Sequence, residues 1–369
     1  MTVRIATFNA ENLFRRPAVF GIEDEATRNG VLDEFNELAA LVSKDLYTEA
    51  DRARIAELVR KHRAFEADPD QGGAIFVNQT RGAGAKLFTV GGTETDPVIT
   101  IKAKGRSEWA GWVELVRTGM SWDAVRNTGR VLSEINADIV LTVEVEDRLT
   151  LARFNRQVLG DALGMPPYPY NMLIDGNDSR GIDIGVLSRF PLTSLRSHIF
   201  DPRPSEPPVF SRDCPEFEIG LDGTPLWILG NHFKSQIQGA GSGRRLAQAR
   251  RVREIYEEAL LRSARIVVAG DLNDHPESPP IRELTDAGLR DAMTHPGYTG
   301  SPGTHGTGTR AHQKLDYLMF SPELWDRVRA TGVERRGIWA PNTFKSFDTV
   351  TSRPAQASDH AAVYADLDL

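Results

Sequence analysis

The sequence predicts a layered fold of the α/β or α+β class. Short apolar runs recur along the chain, and several are continuous, as expected for strands that are buried on both faces. Patterns of helical spacing lie between some of these runs, and long loops join them, which is typical of helices packed on sheets. The predicted strands are residues 3–8, 138–145, 182–188, 225–233, 265–272, 315–320 and 360–367.

Two strongly patterned helices are predicted. Residues 121–138 place Val125, Leu132 and Ile135 at a spacing of three to four, with Ser121 as an N-cap. Residues 243–261 repeat this pattern with Ala249 and Tyr256 on the apolar side. Both helices lie between predicted strands, so we expect them to cover the faces of the sheet.

The segment from residue 15 to about residue 120 interrupts this plan. It opens with helical patterns at about 30–46 and 49–65, where Thr48 and Asp51 have the spacing of a capping box. Strand-like runs follow at 74–78, 86–90 and 97–103. Because loops of this length are rarely structureless, we expect 15–120 to be an insertion, a lid or recognition element, within a single domain spanning 1–369.

Bulk properties limit the classes of function. The chain has 369 residues, 40% of them hydrophobic and 26% charged, with a net charge of −7. This composition predicts a globular protein, and the acidic balance argues against a protein that coats nucleic acid. An acidic chain can still act on phosphates where metal ions supply positive charge locally.

Cellular context is predicted from what the sequence lacks. Cys214 is its one cysteine, so no intramolecular disulfide is expected. The first residues read as a strand rather than as a signal peptide, and no apolar run is long enough to cross a membrane. We expect a cytoplasmic monomer, with a processed secreted form and other oligomeric states left open.

Polar side chains collect at the ends of the predicted strands. Taken singly, an Asp or Asn after a strand is usually a turn residue, and a lone histidine is usually structural. Asp316 is harder to explain in this way, because a carboxylate inside an apolar run needs a partner or a cation. Six strand ends repeat the pattern, through Asn9, Glu11, Glu144, Asn231, His232, Lys234, Asp271, Asn273, Asp316, Asp359 and His360.

This set of residues is chemically selective. Carboxylates and amides without thiolates suit hard cations such as Mg²⁺ or Mn²⁺, with Ca²⁺ also possible. Two histidines that can pair with carboxylates suit acid/base work across a P–O bond. Hydrolysis of a phosphodiester needs charge neutralised, a water deprotonated and a leaving oxygen protonated, and the residues present can meet these three demands.

Seven segments, in this order, resemble the endonuclease/exonuclease/phosphatase superfamily, the deoxyribonuclease I-like proteins. They are TFNAENLF, ADIVLTVEVED, RGIDIGVLSRFPL, GNHFKS, GDLNDHPES, KLDYLMFS and SDHAAV. The resemblance covers residues 1–14 and about 121–369. It implies an α+β fold, a four-layer αββα sandwich of two mixed sheets flanked by helices, with a large insertion after the first strand.

The resemblance also implies roles. Glu144 matches the main metal-ligand glutamate, and Asp359 an additional metal carboxylate. Asn9 matches the asparagine that supports metal and phosphate. Glu11 stands where many members have Asp or Asn, and its longer arm either reaches the metal or reshapes the coordination.

Further roles concern the reaction. His232 matches a phosphate-contacting histidine that can act as an acid, and its neighbours Asn231 and Lys234 are predicted substrate contacts. Asp271 and Asn273 match the pair that positions water and phosphate. Asp316 and His360 resemble an Asp–His pair in which the carboxylate fixes the imidazole.

Other basic residues have two interpretations each. Arg180 is a candidate phosphate contact, or an exposed loop arginine. His305 and Arg310 lie in a Gly/Thr-rich loop at 300–313 that either rims the site or is plain surface. The basic helix start either touches a polyanion or is a solvated face with downstream glutamates, which we favour, and comprises Arg244, Arg245, Arg250, Arg251 and Arg253.

The sequence therefore predicts a divalent-metal-dependent phosphoesterase, and within that class a phosphodiesterase acting as a nuclease. The alternative is a phosphatase or phosphodiesterase for inositol, lipid or nucleotide phosphates. A further alternative is a phospho-ligand-binding module without activity, which the complete set of candidate residues disfavours. The substrate, the mode of cleavage, the metal and the acid/base assignment of the histidines stay open.

Overall fold

The computed structural model describes residues 1–13, 15–22, 24–66, 73–80, 85–178, 180–201, 208–221, 223–236 and 241–369. Its strands are β1 Thr2–Leu13, β2 Arg15–Pro17, β3 Ile75–Gln79, β4 Phe88–Gly92, β5 Pro97–Ile101, β6 Gly111–Leu115, β7 Arg117–Gly119, β8 Ile139–Val145, β9 Tyr170–Ile174, β10 Asp183–Ser188, β11 Leu192–Arg196, β12 Glu216–Ile219, β13 Leu226–His232, β14 Ile266–Asp271, β15 Arg290–Asp291, β16 Asp316–Phe320, β17 Val328–Glu334 and β18 Ala362–Asp368. Its helices are α1 Glu25–Val42, α2 Glu49–Lys61, α3 Trp122–Ile135, α4 Arg148–Arg153, α5 Ser242–Leu260, α6 Pro279–Asp286 and α7 Pro322–Trp325, and the π-helical segment Phe154–Ala162 continues α4.

These elements form two compact units. One comprises Met1–Phe14 with Met120–Leu369, and the other comprises Arg15–Gly119. The larger unit contains two six-stranded sheets. Sheet A has the order β17-β18-β1-β8-β10-β9, and sheet B has the order β11-β12-β13-β14-β16-β15.

Both sheets are mixed in the same way. In sheet A, β1 pairs in parallel with β8, and the neighbouring pairs are antiparallel. In sheet B, β13 pairs in parallel with β14, again between antiparallel neighbours. A parallel pair needs a long crossover, and the chain passes through α3 before β8 and through α5 before β14.

Three apolar clusters show that the larger unit has four layers. Between α3 and sheet A, Val131 packs in one cluster with Phe8. Between the two sheets, Leu141 of β8 packs in one cluster with Ile228 of β13. On the outer face of sheet B, Val268 packs with residues of α5. The predicted αββα sandwich of two mixed sheets flanked by helices is confirmed.

The predicted elements recur with adjusted bounds. Each of the seven predicted strands has a counterpart, and β1 is longer than predicted. Ser121 caps α3 as predicted, because its hydroxyl accepts from the Ala124 backbone N–H at 3.1 Å. None of the helices in the described ranges is long and apolar enough to cross a membrane.

The smaller unit has its own core. Helices α1 and α2 and the strand pairs β3–β6 and β4–β5 share one apolar cluster, which includes Leu38, Ile55, Phe88 and Trp109. The capping box at the start of α2 is present: Thr48 Oγ1 accepts from the Asp51 N–H, and Asp51 accepts from the Thr48 N–H. The ends of this unit adjoin, because Arg15 pairs with Gly119 across β2 and β7.

Candidate functional site

Three adjacent strands of sheet B present polar residues side by side. His232 at the end of β13 is in register with Asp271 at the end of β14, and Asp271 is in register with Asp316 at the start of β16. Side chains at matching register positions lie on the same face of a sheet. The topology therefore brings together three candidates that are far apart in the sequence.

Gly270 makes this arrangement possible. It has a φ of +129°, and a Cβ atom at this position would lie 1.9 Å from the Asn231 carbonyl oxygen. A side chain cannot fit there, so the two parallel strands approach closely only because residue 270 is glycine. The glycine sets the position of Asp271 directly after it.

The candidate carboxylates Glu11 and Glu144 of sheet A lie where the strand backbone is irregular. Glu144 lies between Val143 and Val145, which pair with the consecutive residues Ile184 and Asp183, so Glu144 is a bulge residue. Three of the five non-glycine residues with positive φ in the described chain belong to the candidate set: Glu11 at 49°, Glu144 at 61° and Asn273 at 50°. Bulges and left-handed residues redirect side chains and concentrate at functional sites.

Hydrogen bonds join the two sheets at this edge. Asn9 Nδ2 donates to Asp271 Oδ2 at 3.1 Å, and Asn9 Oδ1 accepts from the Glu11 N–H at 3.0 Å. Glu11 Oε2 in turn accepts from the Asp359 N–H at 3.0 Å and from Gln356 Nε2 at 3.2 Å. Glu11 therefore holds the segment that carries Asp359, which is one physical reason for its longer arm.

Asp316 and His360 form a pair. His360 Nδ1 lies 2.8 Å from Asp316 Oδ2, and Thr304 Oγ1 donates to the same oxygen at 2.6 Å. Burial by itself lowers the pKa of His360, but the charges of Asp316, Asp271 and Asp359 outweigh it and raise this pKa well above its ordinary value. The ring is thereby oriented with Nδ1 toward Asp316 and Nε2 toward Asp271 and Asp359.

His232 has the opposite surroundings. Its Nε2 lies 3.5 Å from Glu144 Oε1 and 3.8 Å from Asp271 Oδ2. Burial lowers the pKa of His232 well below its ordinary value, and the positive charges of Arg212 and Arg180 lower it further. His232 is therefore neutral at pH 7.

Two carboxyl groups of the site have raised pKa values. Burial raises the pKa of Asp271 to about 7, and the charges of Asp316 and Glu144 add to this effect. Burial likewise raises the pKa of Glu144, with a further contribution from Asp359. Crowded carboxylates of this kind favour a bound cation, because it neutralises charges that repel one another.

The donor set fits a hard divalent cation. Glu144, Glu11, Asp359 and Asn9 offer oxygen atoms, whereas the one thiol of the chain, Cys214, is buried among apolar residues of sheet B and α5. Within the described part of the chain, two groups of residues have potential ligand atoms within 4.8 Å of one another: Asp271, Asp316 and His360, and His305, Asp359 and His360. The site can accommodate a metal ion, and which residues bind it stays a prediction.

Arg180 belongs to a cationic cluster that the sequence showed only in part. It forms a two-fold ion pair with Asp178, with distances of 2.8 and 2.7 Å. Burial alone would raise the pKa of Asp178, but Arg180 and Arg212 lower it to about 2. Arg212 was not predicted: it is 2% exposed, and its Nη1 donates to the Phe233 carbonyl oxygen at 3.0 Å.

Nothing in the sequence around Arg212 distinguishes it from an ordinary loop arginine. It precedes β12 in the segment SRDCPE, without a regular pattern. Burial and the neighbouring Arg180 lower its pKa to about 10, and the carboxylates Asp178 and Glu144 oppose this shift. Only the folded structure shows that it adds positive charge beside Glu144 and Asp271.

The remaining predicted contacts differ in accessibility. Asn231 is completely buried, and its Nδ2 donates to the Leu229 carbonyl oxygen at 3.0 Å. Lys234 is half-buried, and burial together with Arg212 and Arg180 lowers its pKa. Asn273 donates its backbone N–H to Asp271 Oδ1 at 2.9 Å and its Nδ2 to the Phe233 carbonyl oxygen.

The basic start of α5 separates into two parts. Arg251 and Arg253 pair with glutamates of the same helix, as expected for a solvated face. Arg245 differs: it is buried and pairs with Asp274 at 2.7 Å, and its Nη1 donates to the carbonyl oxygens of Lys234 and Ser235. Arg245 therefore anchors the loop after His232 instead of facing solvent.

Of the two candidate residues in the loop at 300–313, His305 and Arg310, one contacts the site. The backbones of His305 and His360 pair in a short antiparallel β-bridge, and the Nε2 atom of His305 lies 3.3 Å from Asp359 Oδ2. Arg310 is exposed, and its backbone N–H donates to Gln313 within the loop. Of the two interpretations of this loop, the rim of the site holds for His305.

Comparisons with known proteins identify the chain's relatives. Residues 121–360 match the model of the Endonuclease/Exonuclease/phosphatase family. Truncated TDP2 from Caenorhabditis elegans is 18% identical with a TM-score of 0.48, covering 67% of this chain and 90% of its own. A mannosyl-6-phosphatase from Bacteroides thetaiotaomicron is 16% identical with a TM-score of 0.49, covering 67% and 91%.

A third solved structure has a similar likeness. The human nocturnin catalytic domain with bound sulfate is 15% identical with a TM-score of 0.47, covering 68% of this chain and 87% of its own. None of the curated proteins matches the chain. Likenesses at this level of sequence identity do not indicate which substrate this chain acts on.

Proposed function

The chain belongs to the endonuclease/exonuclease/phosphatase family, and from this premise we propose that it is a metal-dependent hydrolase of phosphoric ester bonds. Within that class we propose a phosphodiesterase that acts as a nuclease. The observation that carries the proposal is the Asp271 carboxylate, which lies between a neutral histidine, His232, and a positively charged one, His360. Its Oδ2 is 3.8 Å from His232 Nε2 and 3.9 Å from His360 Nε2.

Asp271 is proposed to hold and deprotonate the attacking water. Its pKa of about 7 lies near neutral pH, where a general base is most effective. The N–H groups of Asn9 and Asn273 fix its two oxygens, so the carboxylate has one orientation. Asn273 thus acts with Asp271 as the predicted water-positioning pair.

The two histidines are proposed to lie on either side of the phosphate. His360 is charged and oriented by Asp316, so it can donate a proton or stabilise negative charge. His232 is neutral and can donate a hydrogen bond from Nε2 to a phosphoryl oxygen. Arg180, Arg212 and Lys234 would add positive charge on the side of His232.

The proposed metal ligands are Glu144, Asp359, Glu11 and Asn9, and the ion is Mg²⁺ or Mn²⁺, with Ca²⁺ possible. When bound, it would supply positive charge to the phosphoryl oxygens. The chain's own contribution is to hold the carboxylates in place. The bulge directs Glu144, and the backbone N–H of Asp359 is fixed by Glu11.

A substrate panel tests the proposal. Protein stripped with EDTA is assayed with Mg²⁺, Mn²⁺ or Ca²⁺ on plasmid, single-stranded DNA, RNA, bis-p-nitrophenyl phosphate, p-nitrophenyl phosphate, and inositol, lipid and nucleotide phosphates. We expect cleavage of nucleic acid and of the diester, lost without metal and in Glu144→Gln. Glu277→Gln, an exposed loop residue, is the matched control.

The outcomes separate the alternatives. Cleavage of small phosphate esters with intact nucleic acid would replace the nuclease proposal by a phosphatase or phosphodiesterase for inositol, lipid or nucleotide substrates. Binding of phosphorylated ligands without turnover in any metal would indicate a module without activity. Activity that survives in Glu144→Gln at the wild-type level would contradict the proposed site.

We further propose that Arg15–Gly119 is an insertion in a single catalytic domain and that it selects the substrate. Since Arg15 pairs with Gly119, a short Gly/Ser linker can replace this unit. We expect the shortened protein to fold and to hydrolyse bis-p-nitrophenyl phosphate, with an altered preference among larger substrates. An unfolded product would show that the two units depend on each other.

A further inference from the structure

A cluster of nitrogen and oxygen ligands lies where the loop at 300–313 meets His360. His305 Nε2 is 3.3 Å from Asp359 Oδ2, and His360 Nε2 is 3.8 Å from Asp359 Oδ1. The two imidazole rings are 4.8 Å apart between centroids and are tilted by 59°. The three residues thus place two ring nitrogens on either side of one carboxylate.

We propose that His305, Asp359 and His360 form a binding site for Zn²⁺. The ligands of a tetrahedral zinc ion lie about 3.4 Å apart, given Zn–N and Zn–O bonds of about 2.0–2.2 Å. The distances from the two imidazoles to the Asp359 carboxylate, 3.3 Å to Oδ2 and 3.8 Å to Oδ1, are near that value. One ligand atom from each of the three residues lies within 4.8 Å of the other two. Two imidazoles and one carboxylate suit zinc, whereas Mg²⁺ prefers oxygen ligands alone.

A hydrogen bond to Asp316 orients His360 toward the proposed zinc site. His360 Nδ1 is bonded to Asp316 at 2.8 Å, which leaves Nε2 to face the cluster. This is the carboxylate–histidine–metal arrangement that orients histidine ligands and increases their basicity. Carboxylate oxygens of Asp271 and Asp359 lie 3.9 and 3.8 Å from His360 Nε2, and their negative charge attracts a divalent cation to this position.

The backbone holds His305 in place. The Gly306 N–H donates to the Asp359 carbonyl oxygen at 2.8 Å, and the Ala361 N–H donates to the Thr304 carbonyl oxygen at 2.7 Å. Thr304 Oγ1 also donates to Asp316 at 2.6 Å. His305 is therefore fixed relative to His360, so that little conformational entropy is lost when a metal binds.

The ion has a route of entry. The side chains of His305 and Asp359 are 39% and 32% exposed, whereas that of His360 is 9% exposed. Zinc would engage His360 Nε2, the atom that the proposed hydrolysis uses. Zinc binding itself does not depend on the proposed function; the inhibition that should follow from it does.

Zinc binding to EDTA-stripped protein tests the site. Isothermal titration calorimetry with Zn²⁺ and the visible absorption of bound Co²⁺ are compared for wild type, His305→Gln and His312→Gln. His312 is an exposed histidine of the same loop. We expect one ion per wild-type chain, unchanged affinity in His312→Gln, and affinity at least about tenfold weaker in His305→Gln, since altered ligand shells cost that much.

Wild-type affinity in His305→Gln, or no binding of micromolar Zn²⁺ by wild type, would overturn the site. Circular dichroism confirms that the variants are folded.

A separate assay measures zinc inhibition of diester hydrolysis in Mg²⁺, each variant relative to its own zinc-free rate. We expect His305→Gln to need at least about tenfold more zinc. Zinc that binds without inhibiting would leave the metal site standing and contradict the role of His360 in hydrolysis.

Discussion

Two histidines face the same oxygen of Asp271 from nearly equal distances, yet the protein keeps one neutral and the other positively charged. His232 Nε2 lies 3.8 Å and His360 Nε2 lies 3.9 Å from Asp271 Oδ2, and both side chains are nearly buried. The pKa of His232 is lowered and that of His360 is raised. Burial acts on both in the same direction, so burial cannot explain the difference.

The charged residues next to each histidine explain the difference between the two pKa values. His360 is surrounded by Asp316, Asp271 and Asp359, and it donates a 2.8 Å hydrogen bond to Asp316. His232 has Arg212, Arg180 and Lys234 nearby, and its Nδ1 has no hydrogen-bond partner among the described residues. The site therefore has an acidic half and a basic half. Pairs of titratable groups with pKa values pushed apart are typical of acid/base catalysis.

Replacing His360 should remove the charged imidazole of the acidic half and so lower the rate of hydrolysis strongly. His360→Asn keeps a polar side chain but cannot carry the proton, so we expect kcat for diester hydrolysis to fall by about 10²–10⁴-fold. Steady-state kinetics in Mg²⁺ or Mn²⁺ measures this fall, with the exposed His312→Asn as the control. A loss of less than threefold would contradict a role for His360 in the chemical step.

Replacing Arg212 should reduce the positive charge of the basic half and raise the pKa of His232. In Arg212→Met the pKa of His232 should rise toward its ordinary value, because a nearby positive charge that opposes protonation is gone. The Phe233 carbonyl oxygen loses a donor, so we expect the free energy of unfolding to fall by about 1–3 kcal/mol. NMR titration of the imidazole and urea unfolding measure the two effects.

Arg250→Met is the control for Arg212→Met. Arg250 lies on α5 with 64% of its side chain exposed. Arg250→Met should leave the pKa of His232 unchanged. It should change the free energy of unfolding by less than about 0.5 kcal/mol. An unchanged His232 titration in Arg212→Met would show that burial alone keeps this histidine neutral.

The contrast between the halves also shows what the sequence could predict. Asp316, His360, Asp271 and His232 stand at the ends of apolar strands, where the sequence pattern is strong and the sheets bring them together. Arg212 lies in an irregular loop whose position depends on tertiary packing. The acidic half and His232 were therefore predictable, whereas the cations around His232 were predictable only through Arg180 and Lys234.

Backbone geometry was the other missing element. The sequence marks Glu144 as a carboxylate near a strand end, but the bulge that redirects it appears only when β8 pairs with β10. Glu11 likewise has a positive φ that no local residue pattern indicates. Local propensity does not encode such features, because the surrounding sheet compensates for their strain.

Neutralising Asp271 should stabilise the metal-free protein, because burial raises the pKa of this carboxyl to about 7 against about 3.9 in the unfolded chain. Between these values the native state binds more protons than the unfolded state, so its stability falls as pH rises from about 4 to about 7. In EDTA at pH 8, we expect Asp271→Asn to raise the free energy of unfolding by about 1–3 kcal/mol and to abolish hydrolysis.

Urea unfolding of both proteins from pH 4 to pH 8 measures this difference. It should be largest at pH 8 and shrink toward pH 4, where the native carboxyl is protonated and that of the unfolded chain is about half protonated. Asp286→Asn, at the exposed end of α6, is the control and should show no such trend. A wild type that is more stable than Asp271→Asn at pH 8 would mean that hydrogen bonds from Asn9 and Asn273 outweigh the burial of the charge.

The smallest expected effect concerns Lys234, at the accessible edge of the basic half. Partly exposed charges are screened, so Lys234→Met should lower kcat/KM by about two- to fivefold, mainly through KM. Because burial and the neighbouring Arg212 and Arg180 lower the pKa of Lys234, wild-type kcat/KM should fall at a lower alkaline pH than an ordinary lysine would cause. Lys234→Arg, which keeps its charge at high pH, should restore the rate and shift this fall upward. The same alkaline profile in wild type and Lys234→Arg would place the titrating group elsewhere and leave the basic half to the two arginines.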